Sequence, residues 1–80
     1  MLQIKEMDLS PQQREAIPKL LQAWGYQREV PPGSGLYELY GQFGRVYVEQ
    51  DERKIIYFSD TFPAALNDVT GALANAMRNK

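Results

Sequence analysis

Apolar and polar residues alternate over residues 2–7, where Leu2 and Ile4 share one side of the chain. This period of two is typical of a strand with one buried side. From Leu36 onward the alternation returns in three runs, "LYELY", "RVYVE" and "KIIYF", which turn-forming residues separate. The pattern predicts an early strand and, later, a three-stranded antiparallel meander.

A turn at Asp51 and Glu52 sets the expected register of the last two strands of the meander. The facing pairs are then Glu49 with Lys54, Val48 with Ile55, and Val46 with Tyr57. Each pair joins two opposite charges or two largely apolar side chains, which is the arrangement that stabilises neighbouring strands.

The segment "LSPQQREAIPKLLQAWGY" changes to a helical period. Ser10 is an expected N-cap, Pro11 takes the first helical position, and Gln13 completes a capping box. One apolar stripe follows at helical spacing: Ile17, Leu20, Leu21 and Trp24. The helix is predicted over residues 11–24, with Trp24 as a core anchor and Gly25 as the stop.

Pro18 lies inside this predicted helix, where it lacks an N–H and crowds the preceding turn. The sequence therefore predicts a kink or a 3₁₀ start, or else a short first turn followed by a second helix from Pro18. The run "REVPPGSG" over residues 28–35 is predicted to be a loop that leads from the helix to the edge of the sheet.

A last helix is expected after a cap at Asp60 or Thr61, with Pro63 in its first turn. Its predicted core stripe is Phe62, Leu66, Val69, Leu73 and Met77. Gly71 lies beside this stripe, next to Ala72, within a track of small residues. A glycine costs about 1 kcal/mol relative to alanine inside a helix, so Gly71 is expected to allow close contact with a neighbouring element.

These elements predict a small α+β fold of order β-α-β-β-β-α, with an antiparallel meander and both helices packed on one sheet face. The 80 residues are read as a single domain over 1–80. A chain of this size has room for one modest core, so association with a partner or a second copy is expected.

Composition removes several kinds of chemistry. The chain has no cysteine and no histidine, and therefore lacks thiolate nucleophiles, the usual general base and the common zinc ligands. Nine basic and ten acidic residues give a net charge of −1, which disfavours bulk attraction to nucleic acid or an anionic membrane. No cofactor, no metal and no enzymatic activity are predicted. The amino terminus has no leader pattern, and a cytoplasmic protein is expected.

The stretch "GQFGRVYV" has some features of an RNA-binding strand, with two glycines and two aromatic residues. It departs from the RNP1 pattern at Gln42, Arg45 and Val48, and a turn followed by a strand explains it more simply. The run "PPGSG" lacks the lysine and the following helix of a phosphate-binding loop. The spacing of Glu38, Glu49, Asp51 and Asp60 selects no oxygen-ligand metal site.

The tyrosines are the more informative group, because their alternation places Tyr40 and Tyr47 opposite to the apolar residues of their own strands. An outer face that carries both aromatic and charged residues suits protein contact. The predicted protein-binding residues, from this face and the hairpin tip, are Glu38, Tyr40, Arg45, Tyr47, Glu49, Asp51 and Glu52.

The helical segment "DLSPQQREAIPKLLQAWGY" resembles the first helix of acetyltransferases of the GNAT superfamily. The acetyl-CoA pyrophosphate loop of that superfamily is absent, so the resemblance carries no activity to this chain.

In size and composition the chain is similar to small phage-encoded anti-defence proteins, anti-CRISPRs among them. That resemblance implies a non-catalytic inhibitor or adaptor that binds a larger protein or protein complex, and this is the function we expect. One alternative is a nucleic-acid-binding or regulatory module that uses Arg45, Arg53 and Lys54. A second alternative is a homodimer formed through Gly71 and Ala72.

Overall fold

The computed structural model describes residues 1–78 and shows a five-stranded antiparallel sheet with helices packed against it. The strand order is β1-β5-β4-β3-β2. The elements in chain order are β1 (Ile4–Glu6), α1 (Pro11–Glu15), α2 (Ile17–Ala23), β2 (Gln27–Glu29), β3 (Leu36–Gly41), β4 (Gly44–Glu49), β5 (Lys54–Phe58) and α3 (Pro63–Arg78). The α+β class and the antiparallel meander are confirmed.

The core lies between the sheet and helices α2 and α3. Its fully buried side chains are Ile17 and Leu20 of α2, Leu39, Val46, Val48 and Ile55 of the sheet, and Val69 and Leu73 of α3. Alternation puts these sheet residues on one face, and the apolar stripes of both helices cover that face. Two helical stripes on one sheet face make a single continuous core.

The predicted first helix is divided in two at Ala16. Ser10 caps α1 as expected: its hydroxyl accepts from the Gln13 N–H (3.2 Å), and the Gln13 side chain accepts from the Ser10 N–H (2.7 Å). Helix α2 starts at Ile17 with Pro18 in its first turn, where the missing N–H costs nothing. The helix predicted over 11–24 is therefore interrupted, and the predicted alternative of a short first turn followed by a second helix is confirmed, with the second helix starting at Ile17 instead of Pro18.

The loop predicted over residues 28–35 begins with a short strand. Strand β2 pairs with β3, with Arg28 opposite Glu38 and Glu29 opposite Tyr37. The polar sequence "QRE" concealed this edge strand, because neither of its sides shows an apolar pattern.

The expected register between β4 and β5 is confirmed for two of its pairs. Glu49 lies opposite Lys54, and Val48 lies opposite Ile55. Burial in and before strand β1 differs from the prediction, since Leu2, which precedes the strand, is 56% exposed and Ile4 is 70% exposed. The reason is that Ile4 pairs with Phe58 on the face away from α2 and α3, where no described helix covers it.

The last helix is confirmed, with Pro63 in its first turn, but the predicted core stripe is wrong at both ends. Helix α3 starts at Pro63, and Phe62 before it is 70% exposed. Met77 is also exposed, and Ala65 and Ala76 are buried in place of the two ends of the predicted stripe. Alanines at these points let the helix lie close to its neighbours, because their side chains end at Cβ.

Gly71 makes no close contact within the chain. A Cβ atom built at this position would meet nothing within 4 Å, so the expected tight packing of Gly71 against a neighbouring element is wrong. None of the helices over residues 1–78 has the length and apolar character needed to cross a bilayer.

Candidate functional site on the open sheet face

The face of the sheet that points away from α2 and α3 is called the open face below. Alternation assigns to it Arg28 of β2, Leu36, Glu38 and Tyr40 of β3, Arg45, Tyr47 and Glu49 of β4, Lys54, Ile56 and Phe58 of β5, and Ile4 and Glu6 of β1. Charged residues occur on all five strands, whereas three of the four aliphatic or phenyl side chains lie on β5 and β1, namely Ile4, Ile56 and Phe58. We call the part around Glu38 on β2, β3 and β4 the polar side, and the part around Ile56 and Phe58 the apolar side.

A buried carboxylate is the centre of the polar side. Glu38 is only 4% exposed, although a lone charged side chain in this position would be strongly disfavoured. Its two oxygens accept four hydrogen bonds from side chains around it: Arg28 Nε (3.0 Å) and the Tyr40 hydroxyl on Oε1, and Arg45 NH1 (3.1 Å) and the Tyr47 hydroxyl (2.9 Å) on Oε2. We call these five residues the Glu38 cluster.

Strand pairing explains why the cluster forms. Arg28 and Tyr47 lie directly opposite Glu38 on the two neighbouring strands, and Arg45 lies opposite Tyr40. Cross-strand neighbours on one face are close enough for such side chains to meet. Three adjacent strands therefore each contribute donors to one carboxylate.

The hydrogen bonds change the acid–base behaviour of the cluster. The pKa of Glu38 is lowered from 4.5 to about 2, mainly by the Tyr40 hydroxyl and then by Tyr47 and the two guanidinium groups, against the opposing effect of burial. The bond to the carboxylate raises the pKa of Tyr40, and burial together with the same carboxylate raises the pKa of Tyr47. Glu38 is ionised at neutral pH, and both tyrosines keep the protons that they donate to it.

Tyr40 also orders the two arginines. The guanidinium carbons of Arg28 and Arg45 lie 5.9 Å and 6.0 Å from the centre of its ring, within the range of cation–π attraction. The main chain of the same residue is held too, because Trp24 Nε1 donates to the Tyr40 carbonyl (3.0 Å). Trp24 is half-buried against the core, so it joins the core to the polar side of the sheet.

The apolar side of the open face forms a groove of about 210 Å³, which we call the apolar groove. It is lined by Ile4, Leu36, Tyr47, Ile56, Tyr57 and Phe58. The Tyr47 and Phe58 rings meet edge to face with centroids 5.7 Å apart. Tyr47 belongs to both the groove and the Glu38 cluster, so the polar and apolar sides are continuous.

The structure brings together only part of the predicted binding set. Glu38, Tyr40, Arg45 and Tyr47 form the cluster, while Glu49 lies apart, opposite Leu36 and Lys54. Glu38 is enclosed by its donors, so the groups that the cluster presents to a partner are the arginines and tyrosines around the carboxylate.

The hairpin tip is separate from the cluster. Asp51 lies beside Gly35: a Cβ at that glycine would be 3.2 Å from the Asp51 carboxylate. The Glu52 carbonyl accepts from Arg14 of helix α1 (3.1 Å). Both residues are exposed, and their neighbours are a loop and a helix instead of the tyrosine-bearing strands.

Sequence reasoning missed Arg28, together with Tyr26, which is 79% exposed and whose carbonyl accepts from the Tyr40 N–H (2.9 Å). The one available signal was the alternation of Tyr26, Arg28 and Val30, which an unrecognised edge strand hid.

The cations proposed for nucleic-acid binding do not form one group. Arg45 is paired with Glu38, and Lys54 lies 3.7 Å from Glu6 and 3.5 Å from Glu52, while Arg53 is at the exposed hairpin tip. Over residues 1–78 the structure shows no cluster of three or more acidic side chains that could hold a metal ion. A search of protein-family models, curated proteins and solved structures finds no match to this chain.

Proposed function

We propose that this protein is a non-catalytic protein-binding module that acts as an inhibitor or adaptor of a larger protein or complex, and that the open face is its contact surface. An anti-defence inhibitor of the phage type is one form of this proposal. The proposed setting is the cytoplasm, as expected from the sequence.

The observation that supports the proposal is the composition of the open face. An apolar groove adjoins a polar cluster of two tyrosines and two arginines, the side chains that are enriched at the energetic centres of protein interfaces. Tyrosine and arginine combine large contact area with hydrogen bonding. The cluster is already ordered by Glu38, so binding loses less side-chain entropy there.

Exposed apolar residues extend the same surface. Leu2, Phe43 and Phe62 are 56%, 45% and 70% exposed, and they line a second groove that shares Tyr47 and Phe58 with the apolar groove. Each of these side chains stabilises a complex when a partner removes it from water, at about 25 cal/mol per Å² of apolar surface. The open face thus offers a connected apolar area with a polar margin.

The test compares two variants that each add one positive charge on opposite sides of the molecule. Ile4→Lys changes the open face, and Gln12→Lys changes the exposed surface of α1. Each is used with the wild type to capture partners from lysate of the native host, and affinity for the purified partner is then measured by calorimetry. We expect Ile4→Lys to weaken binding about tenfold or more and Gln12→Lys to change it less than about twofold.

The double variant Tyr47→Ala with Glu49→Lys localises the contact further and is expected to abolish capture. If the partner binds both open-face variants as tightly as the wild type, the open face is not the contact surface. Circular dichroism of each variant distinguishes a loss of binding from a loss of folding.

The alternative partner is a second copy of the chain, and one structural observation supports it. The surface beside Gly71 is open, and it lies in a groove with Ala72 and Trp24. A homodimer through this track predicts twice the monomer mass in sedimentation, and Gly71→Leu should reduce it to the monomer mass. A monomeric wild type would exclude this alternative.

A further inference from the structure

The two arginines of the Glu38 cluster keep donors that the protein does not use. Arg28 gives only Nε to Glu38, and Arg45 gives only NH1, while a guanidinium has five N–H groups. Their side chains are 65% and 57% exposed, although the carboxylate that they share is 5% exposed. The unused N–H groups of both arginines are therefore accessible from the open face.

The cluster also carries an uncompensated charge. Over residues 1–78, Glu38 is the only carboxylate paired with either guanidinium, so two positive charges against one negative charge leave a net charge of +1. Lys54, farther along the same face, has Glu6 and Glu52 as neighbours and adds no comparable free charge. The positive potential of the open face is thus concentrated at Arg28 and Arg45.

We propose that Arg28 and Arg45 form a clamp for an aspartate or glutamate side chain of the partner protein, and that apolar residues beside that carboxylate enter the apolar groove. This inference rests on the proposed function and names the chemistry of the partner. Guanidinium N–H groups match the two oxygens of a carboxylate, and an arginine that is already ordered loses little entropy on binding. Glu38 and Tyr40 supply that order, as positioning residues.

The rest of the face favours an acidic–apolar protein segment over a nucleic acid. A phosphate backbone carries a charge at every nucleotide and requires a row of cations. Here the charge is one unit at one end of the face, Glu6 and Glu49 lie towards the other end, and the whole chain has a charge of −1. A segment with an isolated carboxylate and neighbouring apolar side chains matches this distribution.

The test uses three defined probes on the full chain. The first is a short acetylated peptide in which two glutamates flank a Leu–Phe pair, the second is the same peptide with glutamine at both positions, and the third is a single-stranded oligouridine of similar length. The side-chain Nε–H signals of Arg28 and Arg45 are followed by NMR during each titration. We expect the glutamate peptide to shift both signals and to bind about fivefold more tightly than the glutamine peptide.

Variants separate the clamp from general electrostatics. Arg28→Gln and Arg45→Gln each leave Glu38 with three donors, and each is expected to weaken binding of the glutamate peptide about fivefold. Arg53→Gln removes the same charge at the exposed hairpin tip and is expected to leave the affinity unchanged. Arg28→Lys keeps the charge without the planar group, and its affinity should lie between those of Arg28→Gln and the wild type.

Several results would overturn the clamp. The first is equal affinity for the two peptides, and the second is no shift of either arginine signal at the highest soluble concentration of the glutamate peptide. The third is a loss of peptide affinity in Arg53→Gln as large as in Arg28→Gln or Arg45→Gln. The fourth is tighter binding of oligouridine than of the glutamate peptide. The proposed function fails on a separate observation, namely partner affinity that Ile4→Lys leaves unchanged. A partner that requires Ile4 but binds Arg28→Gln and Arg45→Gln at full strength would refute the clamp alone.

Discussion

Glu38 and Leu39 are consecutive residues of β3, and both are almost inaccessible to water. Different interactions bury them, on opposite faces of the sheet. Leu39 faces α2 and α3 and is 0% exposed within an apolar core. Glu38 faces the open side and is 4% exposed because tyrosine and arginine side chains from its own and the two neighbouring strands enclose it. One face of the sheet is stabilised by packing, and the other by hydrogen bonds to a charge.

The two faces also differ in what they leave available. Packing between the sheet and the helices uses up the apolar surface of Leu39, Val46 and Val48. The Glu38 cluster uses one N–H of each arginine and leaves the remaining donors at the surface, beside an uncovered groove. The core surface is therefore used for stability, whereas the open face leaves donors and apolar side chains accessible, as the proposed binding role requires.

The largest effect is expected on the core side. Leu39→Ala removes a fully buried side chain and leaves a cavity, which should lower the free energy of unfolding by about 2–5 kcal/mol. Chemical denaturation followed by the Trp24 fluorescence measures the loss. Leu39→Ile is the matched control and should cost less than about 1.5 kcal/mol, since it conserves volume.

A smaller effect is expected for the neighbouring residue on the open face. Glu38→Gln keeps the shape but directs an amide NH₂ group at surrounding donors, so the free energy of unfolding at neutral pH should fall by about 1–3 kcal/mol. The exposed arginines can turn to water, which keeps the loss below that of Leu39→Ala. A loss as large as for Leu39→Ala would mean that the two faces contribute equally to stability.

The pH dependence of this variant provides a sharper test. Because the pKa of Glu38 is lowered from 4.5 to about 2 in the folded protein, the stabilisation by its ionised form is complete above pH 4.5 and is lost as the pH falls towards about 2. Denaturation across this range should show a steeper loss for the wild type than for Glu38→Gln. Parallel profiles would show that Glu38 has an ordinary pKa.

Tyr47→Phe is expected to have a moderate effect. The variant loses the hydroxyl that donates to Glu38 (2.9 Å) and retains the edge-to-face contact with Phe58, so the expected loss is about 1–2 kcal/mol. Denaturation midpoints measure it, with Tyr26→Phe as the control, since Tyr26 is 79% exposed. An equal change in the free energy of unfolding in the two variants would show that the Tyr47 hydroxyl does not stabilise the Glu38 cluster.

The smallest effect is expected at Ile4. Its side chain is 70% exposed, so Ile4→Thr, which keeps the β-branched shape, should alter the free energy of unfolding by less than about 0.5 kcal/mol. A thermal melt is sufficient to measure this change. A large loss would show that Ile4 belongs to the core of the chain itself and is not available to a partner.

Much of the covered side of the molecule could be predicted from local pattern. The Ser10 capping box, the alternation of Val46 and Val48, and the pairing of Glu49 with Lys54 follow from neighbours in sequence and were confirmed. The errors lie where a short element has no apolar pattern, as in β2, or where the small residues Ala65 and Ala76 replace larger ones in a helix stripe.

The candidate site was predicted only in part for a related reason. Alternation placed Tyr40, Arg45 and Tyr47 on one face correctly. It could not show that Glu38 is buried, because burial of a charge depends on donors from other strands, and one of them, Arg28, lies on a strand that the sequence concealed.

The sequence by itself determined the α+β class, the meander and the side of the sheet on which the residues of the meander strands lie, since these depend on periodicity and on turn and cap residues near in the chain. The tertiary structure alone decided that Glu38 has four donors, that the two arginines keep free N–H groups, and that Ile4 and Phe58 line an uncovered groove. Those features arise because strand pairing brings together residues that are distant in sequence. The local pattern of apolar and polar residues does not show which distant residues will be in contact.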